Sequence, residues 1–198
     1  MAVSAGDVKQ LREKTGAGMM DCKRALDESG GEIDAAIAYL REQGMLAASK
    51  KSSREAKEGL VYSYLHQGSR IGAMIEINCE TDFVARNDAF QALARDIAMQ
   101  VAAAKPLAVD RDQISKELIE KESEILQNQA KNEGKPDHIV QRIVDGRIEK
   151  FYQETCLLEQ PFIRETDKTI QDLITDAVGK LGENIVVRRF VRFELGAE

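Results

Sequence analysis

The chain has 198 residues, 43% of them hydrophobic and 31% charged, and its acidic residues exceed its basic ones by six. That length suffices for one sizeable core, or for a small module followed by a core domain. The net charge of −6 argues against a generic nucleic-acid binder, which carries a basic excess for its phosphate contacts.

Three short helices are predicted first. Ser4 caps one in which Val8 and Leu11 lie three apart on one face, and Thr15-Gly16-Ala17-Gly18 breaks it. Met19 to Glu28 forms the next, with Cys22, Ala25 and Leu26 on one stripe and Gly30-Gly31 at its end. The third is expected from about Glu32 to Gln43, since Ile33, Ala36, Ile37 and Leu40 follow the i, i+3, i+4, i+7 spacing, with Gly44 as its C-cap. Residues 1–46 are thus read as a three-helix module. Residues 47–58, AASKKSSREAKE, hold little apolar content and read as a charged, solvated connector, in part helical.

A core domain is expected over residues 59–198. It opens with a hairpin: Leu60, Tyr62 and Tyr64 alternate with Val61, Ser63 and Leu65, and Gln67-Gly68-Ser69-Arg70 supplies the turn. Ile71, Ala73, Ile75, Ile77 and Cys79 form the apolar face of the return strand. A strong helix follows from Asp88 to Ala104, with Phe90, Leu93, Ala94, Ile97, Ala98 and Val101 on one side, and Lys105-Pro106 stops it. Two charged helices, about Asp110 to Asn132 and Pro136 to Glu154, are joined by Glu133-Gly134-Lys135-Pro136. They predict an antiparallel helical hairpin over about 110–155 with a narrow apolar seam. Pro161-Phe162 begins a loop or short extended piece, and a helix from Asp167 to Leu181 is closed by Gly182. The β-branched and aromatic run from Asn184 to Glu194 is a strand, whose Arg188, Arg189 and Arg192 suit an edge or a half-exposed face. The order predicts an α+β fold with a small antiparallel sheet.

Chemistry is sparse. No GxSxG, HExxH, P-loop or GxGxxG occurs, and the many carboxylates sit on helical faces that read as solvated. Cys22, Cys79 and Cys156 are far apart, form no CxxC and are odd in number, which points to reduced thiols in a cytoplasm. Cys156 is also a candidate for a subunit contact. His66 and His138 lack the spacing of a metal site, so no cofactor is expected. The opening run MAVSAGDVKQLREK has no apolar signal region, and no stretch approaches the roughly 18 apolar residues of a membrane span. One segment stands out: Asn78 to Arg86, NCETDFVAR, lies between a strand and a helix and sets an acid directly before a large aromatic. Its plain reading makes Asp82 part of a helix start and Phe83 ordinary core.

The chain resembles the translation elongation factor Ts family, in its short bacterial or organellar form, over essentially its whole length. The run Leu11 to Leu26, LREKTGAGMMDCKRAL, matches the family's opening motif, and NCETDFVAR its second. Tyr64 to Gly72, Gly134-Lys135-Pro136 with Gly146-Arg147, and Gln160-Pro161-Phe162 match further along, in order. The resemblance implies a nucleotide-exchange factor, not an enzyme, that loosens GDP from the GTPase elongation factor Tu. It implies a ubiquitin-associated-like N-terminal module docking on the Tu nucleotide domain through Arg12, Met19 and Met20. It implies that Thr81, Asp82, Phe83 and Val84 press into that domain and disturb its magnesium site, with His66 as a weaker contact from the core. The hairpin and final strand resemble the family's coiled-coil protrusion and core sheet. Longer members carry two related halves in the core where this chain carries one, which implies a homodimer and a two-plus-two complex. Neither nucleic acid nor membrane is an expected partner.

Each assignment has a rival. Met19 and Met20 are adjacent, so one of them turned into the module's own core competes with both facing Tu. Arg12 as plain surface and His66 as an idle hairpin-end residue are the alternatives there. A binding adaptor without exchange activity would occupy a partner without loosening its nucleotide. An RNA-associated protein would use Lys50, Lys51, Arg54 and the arginines of 188–192, and would bind with steep salt dependence.

Overall fold

The computed structural model describes residues 3–134 and 136–197. Lys135, in the expected turn between the hairpin helices, lies outside the described residues. The fold is α+β, with eight α-helices and a small antiparallel sheet among the described residues. The chain divides into two compact units. One comprises the chain up to Leu60 with Ile77–Leu93 and Asp172–Val186; the other comprises Val61–Glu76, Ala94–Gln171 and the chain from Val187 onward.

In the first unit, α1 (Ala5–Thr15), α2 (Met19–Glu28) and α3 (Ile33–Lys51) enclose a core of Val8, Leu11, Cys22, Ala25, Leu26 and Ala36. Ser4 caps α1 with a reciprocal bond: its hydroxyl accepts from the Asp7 amide, and the Asp7 carboxylate accepts from the Ser4 amide and hydroxyl. These bonds to the ionised form hold the Asp7 carboxyl below the usual carboxylate range.

The expected stop at Gly44 is not used: α3 runs on through the start of the connector to Lys51. Ala47 and Ala48 favour helix, and tertiary contact outweighs the glycine. A Cβ on Gly179, in α8 (Ile170–Leu181), would lie 3.9 Å from Gly44 Cα, so the two helices cross where neither bears a side chain. Flanking contacts fix the crossing, from Arg41 to Asp172 at 2.9 Å and from the Lys51 ammonium to the Val178 carbonyl at 3.4 Å.

Strands β1 (Glu58–Leu65), β2 (Ile71–Cys79) and β5 (Val186–Glu194) form a sheet in the order β1-β2-β5. The terminal strand is therefore an edge, as its arginines suggest. Arg188 and Arg189 share the carboxylate of Glu76, at 3.8 and 2.7 Å. Arg192 has a different partner: its Nε donates to the Ala102 carbonyl at 3.0 Å. Between β2 and β5 in the chain come α4 (Asp82–Ala85), α5 (Asp88–Ala104), α6 (Lys116–Asn132), α7 (Asp137–Thr155) and α8.

In the second unit, α6 and α7 pack as the expected antiparallel hairpin on a seam of Leu126, Ala130, Val140 and Val144, flanked by Ile143 and Ile148. Its first arm starts later than Asp110. Asp110 caps a single 3-10 turn, Arg111–Gln113, and the α-helix begins only after Ser115, whose hydroxyl accepts from the Leu118 amide at 3.2 Å. The hairpin's root is a second cluster of Ala108, Ile114 and Cys156 with Ile119, Phe151 and Tyr152. Arg111 ties it together: it donates to Glu149 at 2.8 and 3.0 Å, to Glu159 at 2.5 and 2.7 Å, and lies 4.4 Å above the Tyr152 ring.

Beyond the hairpin, β3 (Pro161–Phe162) pairs with β4 (Glu165–Thr169), and α8 starts at Ile170, three residues later than expected. Gln100, fully buried on α5, joins this segment. Its amide nitrogen donates to Gln160 Oε1 and the Pro161 carbonyl, both at 3.1 Å, and its oxygen accepts from the Ile163 amide at 3.0 Å. Gln100→Leu leaves those three partners unsatisfied in the interior. Since each unpaired group costs about 1–3 kcal/mol, part of it offset because leucine leaves water more readily than glutamine, a net loss of about 2 kcal/mol is expected in urea unfolding.

Candidate functional site

Thr81, Asp82, Phe83 and Val84 form one structural object. Thr81 is extended, at φ −129° and ψ 154°, and its hydroxyl accepts from the Val84 amide at 3.3 Å, capping α4. A single turn sends its side chains both inward and outward. Val84 and Ala85 point inward and are buried. Phe83 points outward and is 79% exposed, more than any other large apolar side chain described here. Asp82 is exposed and pairs with Arg86 at 2.9 Å. Phe83 as ordinary core, the plain reading of this segment, does not hold for the chain on its own: a one-turn helix whose inward face is taken by Val84 and Ala85 has no room left beneath it.

The turn is held from behind. Glu183, just after α8, accepts from the amides of Glu80 and Thr81, both at 3.0 Å on one carboxylate oxygen, and from the Thr81 hydroxyl at 2.6 Å on the other. Glu80 returns the connection, accepting from the Asn184 amide at 2.7 Å and pairing with Arg54 at 3.6 Å. The Asn184 side chain donates to the Arg54 carbonyl at 2.8 Å. From below, the Cys79 thiol donates to the Thr81 carbonyl at 3.1 Å. Burial, with the Glu183 charge adding to it, pushes this thiol up to about 11, so it stays protonated as a donor and is a poor nucleophile at neutral pH.

The other sequence-assigned residues sit on the surface. Met19 and Met20, at the start of α2, are 58% and 74% exposed, so neither turns into the module's core, which Cys22, Ala25 and Leu26 fill. Arg12 is exposed on α1. His66 is exposed at the β1–β2 turn, with its ring Nδ1 3.1 Å from the Tyr64 hydroxyl. It belongs to the second unit, whereas Arg12, Met19, Met20 and Thr81–Val84 belong to the first.

Residues 17–197 match the family described as Elongation factor TS. Proteins named Elongation factor Ts from Heliobacterium modesticaldum and Desulforamulus reducens are 62% and 61% identical over 194 residues, which is 98% of this chain and 90% and 89% of theirs. One from Moorella thermoacetica is 57% identical across 98% of this chain and 96% of its own. The chain belongs to the elongation factor Ts family. It is therefore a translation elongation factor rather than a catalytic enzyme. Among the described residues there is no cluster of three His, Cys, Asp or Glu side chains that would hold a metal, and no helix long and apolar enough to cross a membrane.

Membership in the elongation factor Ts family gives the exposed turn its context, but the sequence motif understated what builds it. Glu183 and Asn184 lie about a hundred residues from the turn they brace, and only Gly182, ending α8, hinted at a structured corner there. Cys156 is corrected as well. It is fully buried in the root of the hairpin, not placed at a surface where a second subunit would meet it. Its thiol is pushed up by burial and by Glu159.

Proposed function

We propose that this chain is a guanine-nucleotide exchange factor for elongation factor Tu and that Phe83 is its wedge. The observation that carries the reading is the pose of Phe83, a large ring held out in water by a turn whose other members are capped, braced or buried. An aromatic exposed in this way and pre-ordered loses little conformational freedom when it enters an apolar slot. Asp82 beside it offers a carboxylate whose surface pair with Arg86 is weak enough to exchange for a donor on Tu. Together they would disturb the magnesium and phosphate surroundings of bound GDP. Thr81 and Val84 serve the same contact by fixing the turn, one as its cap and the other as its anchor.

The three N-terminal helices act as a ubiquitin-associated-like docking module over residues 1–46, with α3 running on into the connector of residues 47–58. Exposed Met19 and Met20 give adaptable apolar contact and Arg12 a directional donor. His66 adds a weaker contact from the core. The coupling is reciprocal: GDP weakens binding of the factor by the same factor as it is itself weakened. Release of labelled GDP from Tu, timed with and without the chain, tests the function; an unchanged rate rejects it. An adaptor without exchange activity would bind Tu and leave that rate alone.

The functional form is a homodimer, giving a two-plus-two complex. In the second unit, one face of the sheet leaves Val61, Leu65, Met74, Val191 and Phe193 exposed by 63%, 65%, 46%, 42% and 71%. Apolar side chains exposed on a sheet make a poor solvent boundary and a good isologous one, because two copies present the same surface to each other. Phe193→Asp is expected to convert the dimer to a folded monomer in sedimentation velocity, weakening association by about a hundredfold or more as two carboxylates enter the interface. Wild-type protein that sediments as a monomer at micromolar concentration would reject the assignment.

A nucleic-acid role draws little support. Arg54, Arg188, Arg189 and Arg192 engage Glu80, Glu76 or Glu194, and Lys51 the Val178 carbonyl. The cytoplasm suits Cys22, Cys79 and Cys156, all free and buried.

A further inference from the structure

We propose that Glu183 is a positioning residue for exchange: it sets the pose of Phe83 by holding the Glu80–Thr81 backbone and the Thr81 hydroxyl on one carboxylate. The inference rests on the reading of Phe83 as the wedge.

Its basis is geometric. A carboxylate with three donors on two oxygens, at 3.0, 3.0 and 2.6 Å, fixes both the position and the rotation of the peptide that enters α4. The hydroxyl proton is committed to Glu183, which leaves a lone pair of Thr81 Oγ1 aimed at the Val84 amide. The brace and the cap are thus one chain of hydrogen bonds ending at the turn that bears Phe83. Nothing else described holds that oxygen in this orientation. Glu183 follows Gly182 and precedes Asn184, whose own amide is fixed by Glu80, so the support has no slack of its own.

Positioning and charge make opposite predictions. Glu183→Gln keeps an oxygen for the two amides, while its NH2, which cannot accept, reverses the third bond and donates to the Thr81 hydroxyl. Glu183→Asp keeps the charge but draws it back by one methylene. A residue that works by placing Phe83 ranks Gln above Asp, whereas one that works by its charge on the Tu magnesium site ranks Asp above Gln.

The experiment measures GDP release from Tu as a function of factor concentration for Glu183→Ala, →Gln and →Asp, for Phe83→Ala, and for the Phe83→Ala/Glu183→Ala double variant. Amide exchange at Glu80 and Thr81 is followed in parallel. The expected result is a drop in the maximal rate of about tenfold for Glu183→Ala, in line with the sensitivity of a working group to displacement by an ångström. Half-saturation, set by the rest of the contact surface, is unchanged. Gln recovers most of the rate, Asp does not, and the double variant is no slower than Phe83→Ala alone. Protection of the Thr81 amide falls by about tenfold or more in Glu183→Ala. If Phe83→Ala slows release while Glu183→Ala does not, or the two effects multiply, or Asp outranks Gln, the positioning role is overturned and the wedge stands. A Phe83→Ala variant with normal exchange overturns the wedge reading itself. Should Glu183→Ala fail to fold, the ranking of Gln against Asp decides.

Discussion

Phe83→Ala slows GDP release from elongation factor Tu by about ten- to a hundredfold at saturating factor, and does so without loss of fold. The magnitude follows from the ring: burying a phenyl side chain contributes about 1.5–3 kcal/mol, and each 1.4 kcal/mol is close to a tenfold change in rate. The stability half of the prediction follows from exposure, since a side chain 79% in water contributes little to the chain's own core. Circular dichroism and the urea midpoint should match those of the parent, while stopped-flow release of a fluorescent GDP analogue should not. Asp82→Ala is the companion case. Its pair with Arg86 is a surface contact worth little, so the fold is again untouched, and the rate falls by about tenfold if the carboxylate takes a donor on Tu. Val84→Ala behaves oppositely, because Val84 is buried: any slowing of release should come with a lower urea midpoint. Normal exchange by both Phe83→Ala and Asp82→Ala would remove the wedge.

Gly59→Ala should cost roughly 4 kcal/mol of stability, enough to threaten folding at 37 °C. Gly59 has φ +139°, a region that L side chains rarely adopt. A Cβ there would lie 2.7 Å from Asn78 Cα and closer still to the Ile77 carbonyl oxygen. Neither obstacle can swing aside, since both are backbone of the central strand, and the Asn78 side chain ties the two segments by donating to the Glu58 carbonyl at 3.1 Å. The alternative to overlap is to spread β1 from β2 just before Cys79 and Glu80, the residues that lead into the Thr81–Val84 turn. The urea midpoint measures the loss, and a value within about 0.5 kcal/mol of the parent would refute the argument.

What could be read without coordinates was whatever the chain signals locally. Helix α5 runs from Asp88 to Ala104 as expected, because an apolar stripe with Pro106 just beyond its end leaves few other choices. The Ser4 cap, the α2 stripe and the hairpin seam are of the same kind. Distant partners were not legible. Gly44 looked like a terminator, and its use is a helix crossing with Gly179. Strand β4, ETDKT, has no alternation of apolar side chains and exists by pairing with β3. In the candidate site, the motif NCETDFVAR drew attention to the segment but did not say which of its side chains faces out. That depends on Glu183, Cys79 and the cap at Thr81, which no spacing rule connects.

The foot of the α6–α7 arm has a consequence of its own. Arg111 is raised above its ordinary value by the hydrogen bonds it donates to Glu159 and then Glu149, and Glu149 is held below the usual carboxylate range chiefly by accepting from Arg111. A depressed acid gives its contribution above its unfolded value and loses it only as pH falls through the lower folded value. The Arg111–Glu149 pair is therefore lost only on acidification below the ordinary carboxylate range. The fastening sits at the foot of the arm, where Arg111 joins α7 through Glu149 to the segment that follows it through Glu159. A molecule that reached the foot would find these charges already paired with one another.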